Sequence, residues 1–417
     1  MEKDLIKILI AEYQQKVIEI TFQERICTIE SSLNYVFTGL RRAGKSYMLY
    51  QQIHHLLKTG HAKDEILYFN FEDDRLASFT SSDLDRIKLC YEEMYDTKPI
   101  FFLDEIQIID QWEKFARRLA DQGYRVFVTG SNAKMLSSEI ATTLGGRYFM
   151  QNIFPYSFIE YLIGLDLDVK DKNFIFHYHN KITKAYEDYF HFGGLPELIK
   201  ISDKRAWLSN LYQKIFLGDL VTRYQVRNSF ALQILIRKLA ESVKQPTSFN
   251  RLANVVSSAG KKITTDTVID YLDYLKESWL IFSLENIAAK LADKIANKKY
   301  YFTDNGILNL FLFDPVTFLL ENQAAIQLRR LYGDEVYYYQ RNIEVDFYVP
   351  AQQLAVQVCY SLHDIETRKR EVHALVKMSK QIDVKTMLII TKDEEYTIKE
   401  ADLIVEVVPV WKWLCQL

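Results

Sequence analysis

One segment limits what this chain can fold into more than any other: Gly39-Leu40-Arg41-Arg42-Ala43-Gly44-Lys45-Ser46. It fits G-x-x-x-x-G-K-S/T over its full length. It follows the β-rich run Val36–Thr38 and opens the helical stretch Ser46–Lys58. That strand–loop–helix setting gives the pattern its meaning. The glycines let backbone N–H groups converge on phosphate oxygens, and the helix N-terminus adds a dipole that favours anions.

The rest of the first half repeats the alternation. Glu65–Phe71, Ile100–Leu103, Arg125–Thr129 and Arg147–Phe154 read as further strands, helical patterns lie between them, and Pro155 closes the unit. Such alternation predicts an α/β fold, a parallel sheet with helices on both faces.

A second motif follows at the end of Ile100-Phe101-Phe102-Leu103-Asp104-Glu105, an apolar strand ending in two carboxylates. Alone, such a pair merely caps a helix. Downstream of a phosphate cradle it takes on chemistry. Asp104 and the Ser46 hydroxyl are expected to hold Mg2+, Lys45 to bridge the β- and γ-phosphates of ATP, and Glu105 to activate the attacking water. Gly39, Arg41, Arg42, Ala43, Gly44 and Tyr47 complete the expected nucleotide contacts. At the tip of the next strand, Thr129, Ser131 and Asn132 are candidates to touch the γ-phosphate and the lytic water. Asn132 is counted with the catalytic set, although Ser131 or Asn132 equally suits a helix N-cap. Arg147, in Leu144-Gly-Gly-Arg147-Tyr148, is a cation at the rim of this unit. In a ring it can reach a neighbour's γ-phosphate as an arginine finger; the alternative is a surface salt bridge.

Composition excludes several classes. A net charge of −3 leaves nucleic-acid binding to a local patch. Cys27, Cys90, Cys359 and Cys415 are far apart, without metal-ligand spacing or a disulfide framework. The longest apolar runs have strand length, well short of the roughly 18 to 20 residues of a membrane span. A cytosolic protein without a membrane partner is expected.

These residues together resemble the AAA+-type ATPases of bacteria and archaea that carry a C-terminal DUF4143 domain. Besides Gly39–Ser46, the resemblance rests on ILYFNFED (66–73), FLDEIQ (102–107), VFVTGSNA (126–133), GGRY (145–148) and IFPYSFIEYL (153–162). It continues through FGGLPEL (192–198), YFTDNGI (301–307) and EVDF (344–347). It implies a P-loop core at 1–155, a helical lid at 156–227, a winged-helix-like module at 228–315 and a nuclease-like domain at 316–417. It also implies a homo-oligomeric ring with Arg147 acting in trans. Gly193-Gly194-Leu195-Pro196 looks like the glycine-x-proline signature of such lids, which places Pro196 near the nucleotide. From the residues alone, Pro196 starts a helix at its first position.

In the third module, Lys238, Lys244, Arg251, Lys261 and Lys262 are candidates for a DNA-facing surface, with Glu241, Asp266, Asp270 and Asp273 interspersed. In the last, Glu321 and Asp346 fit the first two places of a restriction-type nuclease site. Gln357 and Cys359 stand where a carboxylate and a lysine are required. Gln is a poor Mg2+ ligand and Cys supplies no cation, so a retained fold without cleavage is expected. A structural Cys359, buried on a strand, is expected with it. The functions in view are a DNA-linked oligomeric motor, a nucleotide-controlled switch acting on a protein partner and, third, an ATP-dependent nuclease.

Overall fold

The computed structural model describes residues 2–416 apart from 31, 132–134, 136–141, 172, 261 and 401–402. The chain forms two compact units, Met1–Phe154 with Glu277–Trp279, and Pro155–Lys276 with Leu280–Leu417.

In the first unit the apolar runs become five parallel strands: β1 (Asn34–Thr38), β2 (Ile66–Asn70), β3 (Ile100–Asp104), β4 (Val126–Gly130) and β5 (Tyr148–Asn152). Their order is β2-β3-β4-β1-β5. Consecutive residues of β1 to β4 are buried, with no alternation, as a sheet covered on both faces requires. The helices are α1 (Lys3–Glu19), α2 (Lys45–Lys58), α3 (Leu84–Met94) and α4 (Trp112–Asp121). α1 buries Ile6, Leu9, Ile10, Tyr13 and Val17, one stripe at helical spacing, against β2 and α3. Strand order decides where the chemistry sits. β1 ends in the glycine loop and β3 in the acid pair, and β4 lies hydrogen-bonded between them.

The second unit opens with helices Phe158–Gly164, His179–Phe192 and Lys204–Lys214, the last running on as a π-helix over Ile215–Thr222. Helices Ser229–Ala240, Phe249–Ser258 and Thr265–Glu277 follow. They come with a small antiparallel sheet of β6 (Thr247–Ser248), β7 (Ile281–Leu284) and β8 (Asn297–Phe302), in the order β6-β8-β7. The chain ends in a mixed six-stranded sheet. Its strands are β9 (Tyr337–Gln340), β10 (Glu344–Val349), β11 (Leu354–Val358), β12 (Thr386–Thr391), β13 (Tyr396–Glu400) and β14 (Leu403–Pro409). They run in the order β13-β14-β12-β11-β10-β9, and helix Ile365–Ser379 packs on β10 and β11.

Two sequence motifs of this unit form one joint. The buried carboxylate of Asp304 accepts N–H bonds from Gly194 at 2.9 Å, Gly306 at 2.9 Å and Ile307 at 3.3 Å. Gly193 lies at φ +78°, and a Cβ there would stand 2.1 Å from Asp304 Oδ1. Glycine is therefore required by the carboxylate as well as by the turn. Burial pushes the Asp304 carboxyl up to about 6, against the pull of the three N–H groups. An acid raised on folding favours the folded state most at low pH. This contribution therefore declines as pH climbs from the ordinary value of 3.8 to about 6. Pro196 opens the 3-10 helix Pro196–Lys200 at its first position, as its residue type suits. Among the described residues no helix is long and apolar enough to cross a membrane.

Candidate nucleotide site

The loop from β1 to α2 has the backbone of a phosphate cradle. Gly39 (φ 152°), Arg42 (φ 65°) and Gly44 (φ 99°) all take positive φ. A Cβ on Gly39 would lie 2.2 Å from the Ile153 carbonyl oxygen, so no other residue fits. Gly44 caps α2, and Lys45 is the first residue of that helix. Arg25, which the sequence reading did not single out, ties the loop down. Its guanidinium donates to the carbonyls of Ala43 and Phe154, both at 2.9 Å. Arg41 pairs with Glu72 at 3.6 Å, while Arg42 and Tyr47 are exposed.

Around this loop the acid pair is gripped from several strands. Ser46 Oγ donates to Asp104 Oδ1 at 3.0 Å, and Tyr68 OH donates to Asp104 Oδ2 at 2.6 Å. Thr129 Oγ donates to Asp104 and accepts the Glu105 backbone N–H at 2.8 Å. A hydroxyl and a carboxylate this close are the donor set a hard divalent cation takes. Lys45 Nζ lies 3.5 Å from Glu105 Oε1 and 3.4 Å from the Leu40 carbonyl. Glu105 itself sits at φ 53°, a left-handed conformation uncommon for a residue with a side chain. Its Oε2 accepts from Gln107 Nε2 at 2.5 Å and from the Ser131 N–H at 3.3 Å.

The two carboxyls are driven in opposite directions. Burial, then the neighbouring Glu105 charge, pushes Asp104 up, against the Thr129, Tyr68 and Ser46 hydroxyls. Burial also opposes the charge on Glu105, but Lys45, Gln107, Arg41 and Ser131 outweigh it. They hold that carboxyl below its ordinary value. One member is thus poised to receive positive charge and the other is kept ionised.

Lys45, Ser46, Asp104, Glu105, Thr129 and Ser131 therefore come together. Asn132 lies outside the described residues. Arg147 is partly exposed and, within its own chain, forms an ion pair with Asp121 and donates to the Gly145 carbonyl at 3.1 Å. Tyr68 and Gln107 lie in stretches that carry the resemblance but have no role assigned by it, and Arg25 lies outside them. Each is recognisable only once the strands are paired.

In the second unit Glu321, Asp346 and Gln357 also line one cavity. Cys359 lies just past the end of β11. It is half-buried at the cavity wall and donates to the Ser361 carbonyl at 3.1 Å, so it is not the buried strand residue expected. Lys244, a candidate for the DNA-facing surface, lines this cavity too. Lys261 lies outside the described residues.

The family model of an AAA domain matches residues 32–162, which span the glycine loop, the acid pair and all five strands. Over 392 residues the chain is 33% identical to the uncharacterized protein MJ1544 of Methanocaldococcus jannaschii, covering 91% of this chain and 87% of that one. The chain belongs to this family of AAA-domain proteins. An uncharacterized protein of Haemophilus influenzae is 31% identical to it over 278 residues, 65% of this chain and 67% of its own. The Walker-type ATPase PABY2304 of Pyrococcus abyssi is a solved structure with a TM-score of 0.43 and 12% identity, covering 73% of this chain and 95% of that one. A domain of unknown function, DUF8612, matches residues 183–315. The family matched in the second half is thus DUF8612 and not DUF4143, and its match ends before 316–417, the residues for which DUF4143 was expected.

Proposed function

We propose that this AAA-domain protein binds ATP with Mg2+ at the glycine loop and hydrolyses it with Glu105 as general base. The observation that carries this reading is the single cluster of Lys45, Ser46, Asp104 and Glu105, held by Thr129 and Tyr68. The loop N–H groups and Lys45 hold the phosphates. Ser46 and Asp104 hold Mg2+, which supplies positive charge against the developing charge on the phosphoryl oxygens. Glu105 takes a proton from water as the water oxygen bonds to the γ-phosphorus and the bond to the ADP oxygen breaks. Nucleotide phosphate competes with Glu105 for Lys45, so binding itself frees the base.

The working form is a homo-oligomer in which Arg147 leaves Asp121 and reaches the γ-phosphate of the next subunit. Its exposure at the rim, beside the Gly145-Gly146 turn, supports this. Arg147→Ala is expected to leave ATP affinity unchanged and to lower assembled turnover by about a thousand-fold. Measured phosphate release in mixtures should fall with the mutant fraction, and unimpaired mixtures would remove the finger role.

A second reading concerns what the ATP energy acts on. Ser229–Glu277 with β7 and β8 has the helix, strand and hairpin order of a winged helix, which supports a DNA-linked motor. Yet its third helix, Thr265–Glu277, exposes Asp266, Asp270 and Asp273. That carboxylate stripe repels phosphate and favours a switch acting through a protein partner. ATPase rates are therefore expected to stay level across single-stranded, duplex and branched DNA. Stimulation by one of these would restore the DNA reading.

A further inference from the structure

Gln107 stands two residues past Glu105, and the turn between them brings the two side chains together. Glu105 caps the 3-10 helix Ile106–Ile108 in its left-handed conformation, and the buried side chain of Ile106 anchors that helix in the core. The Ile108 N–H closes the turn on the Glu105 carbonyl at 3.2 Å. Gln107 is thereby folded back over the end of β4. A Cβ on Gly130 would stand 2.5 Å from Gln107 Oε1, so the bare glycine leaves the space that the amide fills. That oxygen is buried and has no hydrogen-bond partner among the described residues. What orients the amide is therefore what its nitrogen donates to.

Nε2 carries two hydrogens and has two acceptors within reach. They are Glu105 Oε2 at 2.5 Å and Ser131 Oγ at 3.4 Å. The Ser131 N–H reaches the same Oε2 at 3.3 Å. The carboxylate is thus held unequally. Oε2 takes two N–H donors that belong to the fold, while Oε1 faces Lys45 at 3.5 Å. Lys45 is the partner that phosphate draws away. Oε1 then loses its cation while Oε2 keeps its donors, and hydrogen bonds to a carboxylate oxygen lower its pull on a proton.

We infer that Gln107 is the positioning residue of the base, an assignment that rests on hydrolysis by Glu105: it fixes Oε2 and so gives the proton of the attacking water to Oε1. The proton leaves water for Oε1 as the water oxygen bonds to the γ-phosphorus and the bond to the ADP oxygen breaks. Rotation about the last bond of a glutamate side chain is soft and nearly two-fold. Without the amide, only the longer contact from the Ser131 N–H holds Oε2, and the oxygen facing the water is no longer set.

The test compares Gln107→Met with wild type and Glu105→Gln by ATP titration, steady-state phosphate release and thermal unfolding. Methionine keeps the length of the side chain and fills the space beside Gly130, but it donates no hydrogen bond. kcat is expected to fall about ten- to a hundred-fold, the range a misplaced reacting group costs. ATP affinity, KM and melting temperature should stay at their wild-type values. If Gln107→Met does not fold, Gln107→Asn takes its place, since its amide ends one methylene short of Glu105, and the same fall is expected. Wild-type kcat in the folded variant, with turnover lost in Glu105→Gln, overturns the inference and leaves hydrolysis by Glu105 standing. A fall in kcat matched by a loss of ATP affinity or of melting temperature overturns it too, because that marks a packing role. Turnover that Glu105→Gln does not lower removes Glu105 as the base, and the role of Gln107 with it.

Discussion

Glu105→Gln is expected to retain ATP and to lose turnover by about a hundred-fold or more, the range a positioned general base contributes. The substitution keeps the volume of the side chain, so the left-handed turn at Glu105 and its bond to Thr129 survive. What it removes is the basic oxygen and the partner of Lys45. Lys45 is then free for phosphate without competition from a carboxylate 3.5 Å away. ATP affinity should therefore hold or rise while phosphate release collapses. Fluorescent-nucleotide titration and stopped-flow phosphate detection separate the two. The wild-type pH profile should agree. Lys45, Gln107 and Arg41 among its neighbours hold the Glu105 carboxyl below its ordinary value of 4.5. In the nucleotide-free enzyme the base thus stays ionised from neutral pH down past that value, so kcat/KM limited by this group should fall only below it; with phosphate drawing Lys45 away, the fall in kcat should come at higher pH.

Lys45→Ala is expected to act one step earlier, on binding. Lys45 is the buried cation of the cradle, and a charge-assisted contact to phosphate contributes about 1.5–3 kcal/mol. That is roughly ten- to a hundred-fold in affinity, enough to remove nucleotide at working concentrations. The variant also leaves Glu105 buried beside Asp104 without its main counter-charge, so the Glu105 carboxyl should titrate higher than in wild type. Calorimetric titration with ATP checks the first effect. Wild-type affinity in Lys45→Ala would show that the loop N–H groups alone hold the phosphates.

The parts of this molecule that could be read from sequence are those whose signals are local. Gly39, Gly44 and Lys45 declare a turn, a cap and a cation within one stretch, and the strand before Asp104 is marked by its own apolar run. The rest depends on register between distant segments. Tyr68 reaches Asp104 only because β2 and β3 run side by side with Asn70 opposite Asp104. Arg25 lies in an irregular segment whose role appears when Ala43 and Phe154 come within its reach. α1 carried a readable stripe from Ile6 to Val17, but nothing in it says which strand it covers. In the second unit, Glu321, Asp346 and Gln357 stand out only through their likeness to the places of a restriction-type nuclease site. Lys299, on β8, fits none of those places, yet it lies 3.4 Å from Glu321 and 3.3 Å from Asp346. The glycine pair before Pro196 suggested a nucleotide contact, and the fold gives those glycines a partner of their own in Asp304.

The most direct test of ATP hydrolysis at this site is phosphate release from ATP by the purified chain, with Mg2+ and with the metal chelated, beside Glu105→Gln. Release that needs Mg2+ and vanishes in Glu105→Gln, while that variant still binds ATP, is the expected result. Equal release by wild type and Glu105→Gln, or ATP bound by wild type with no phosphate released under any assembly condition, would contradict it.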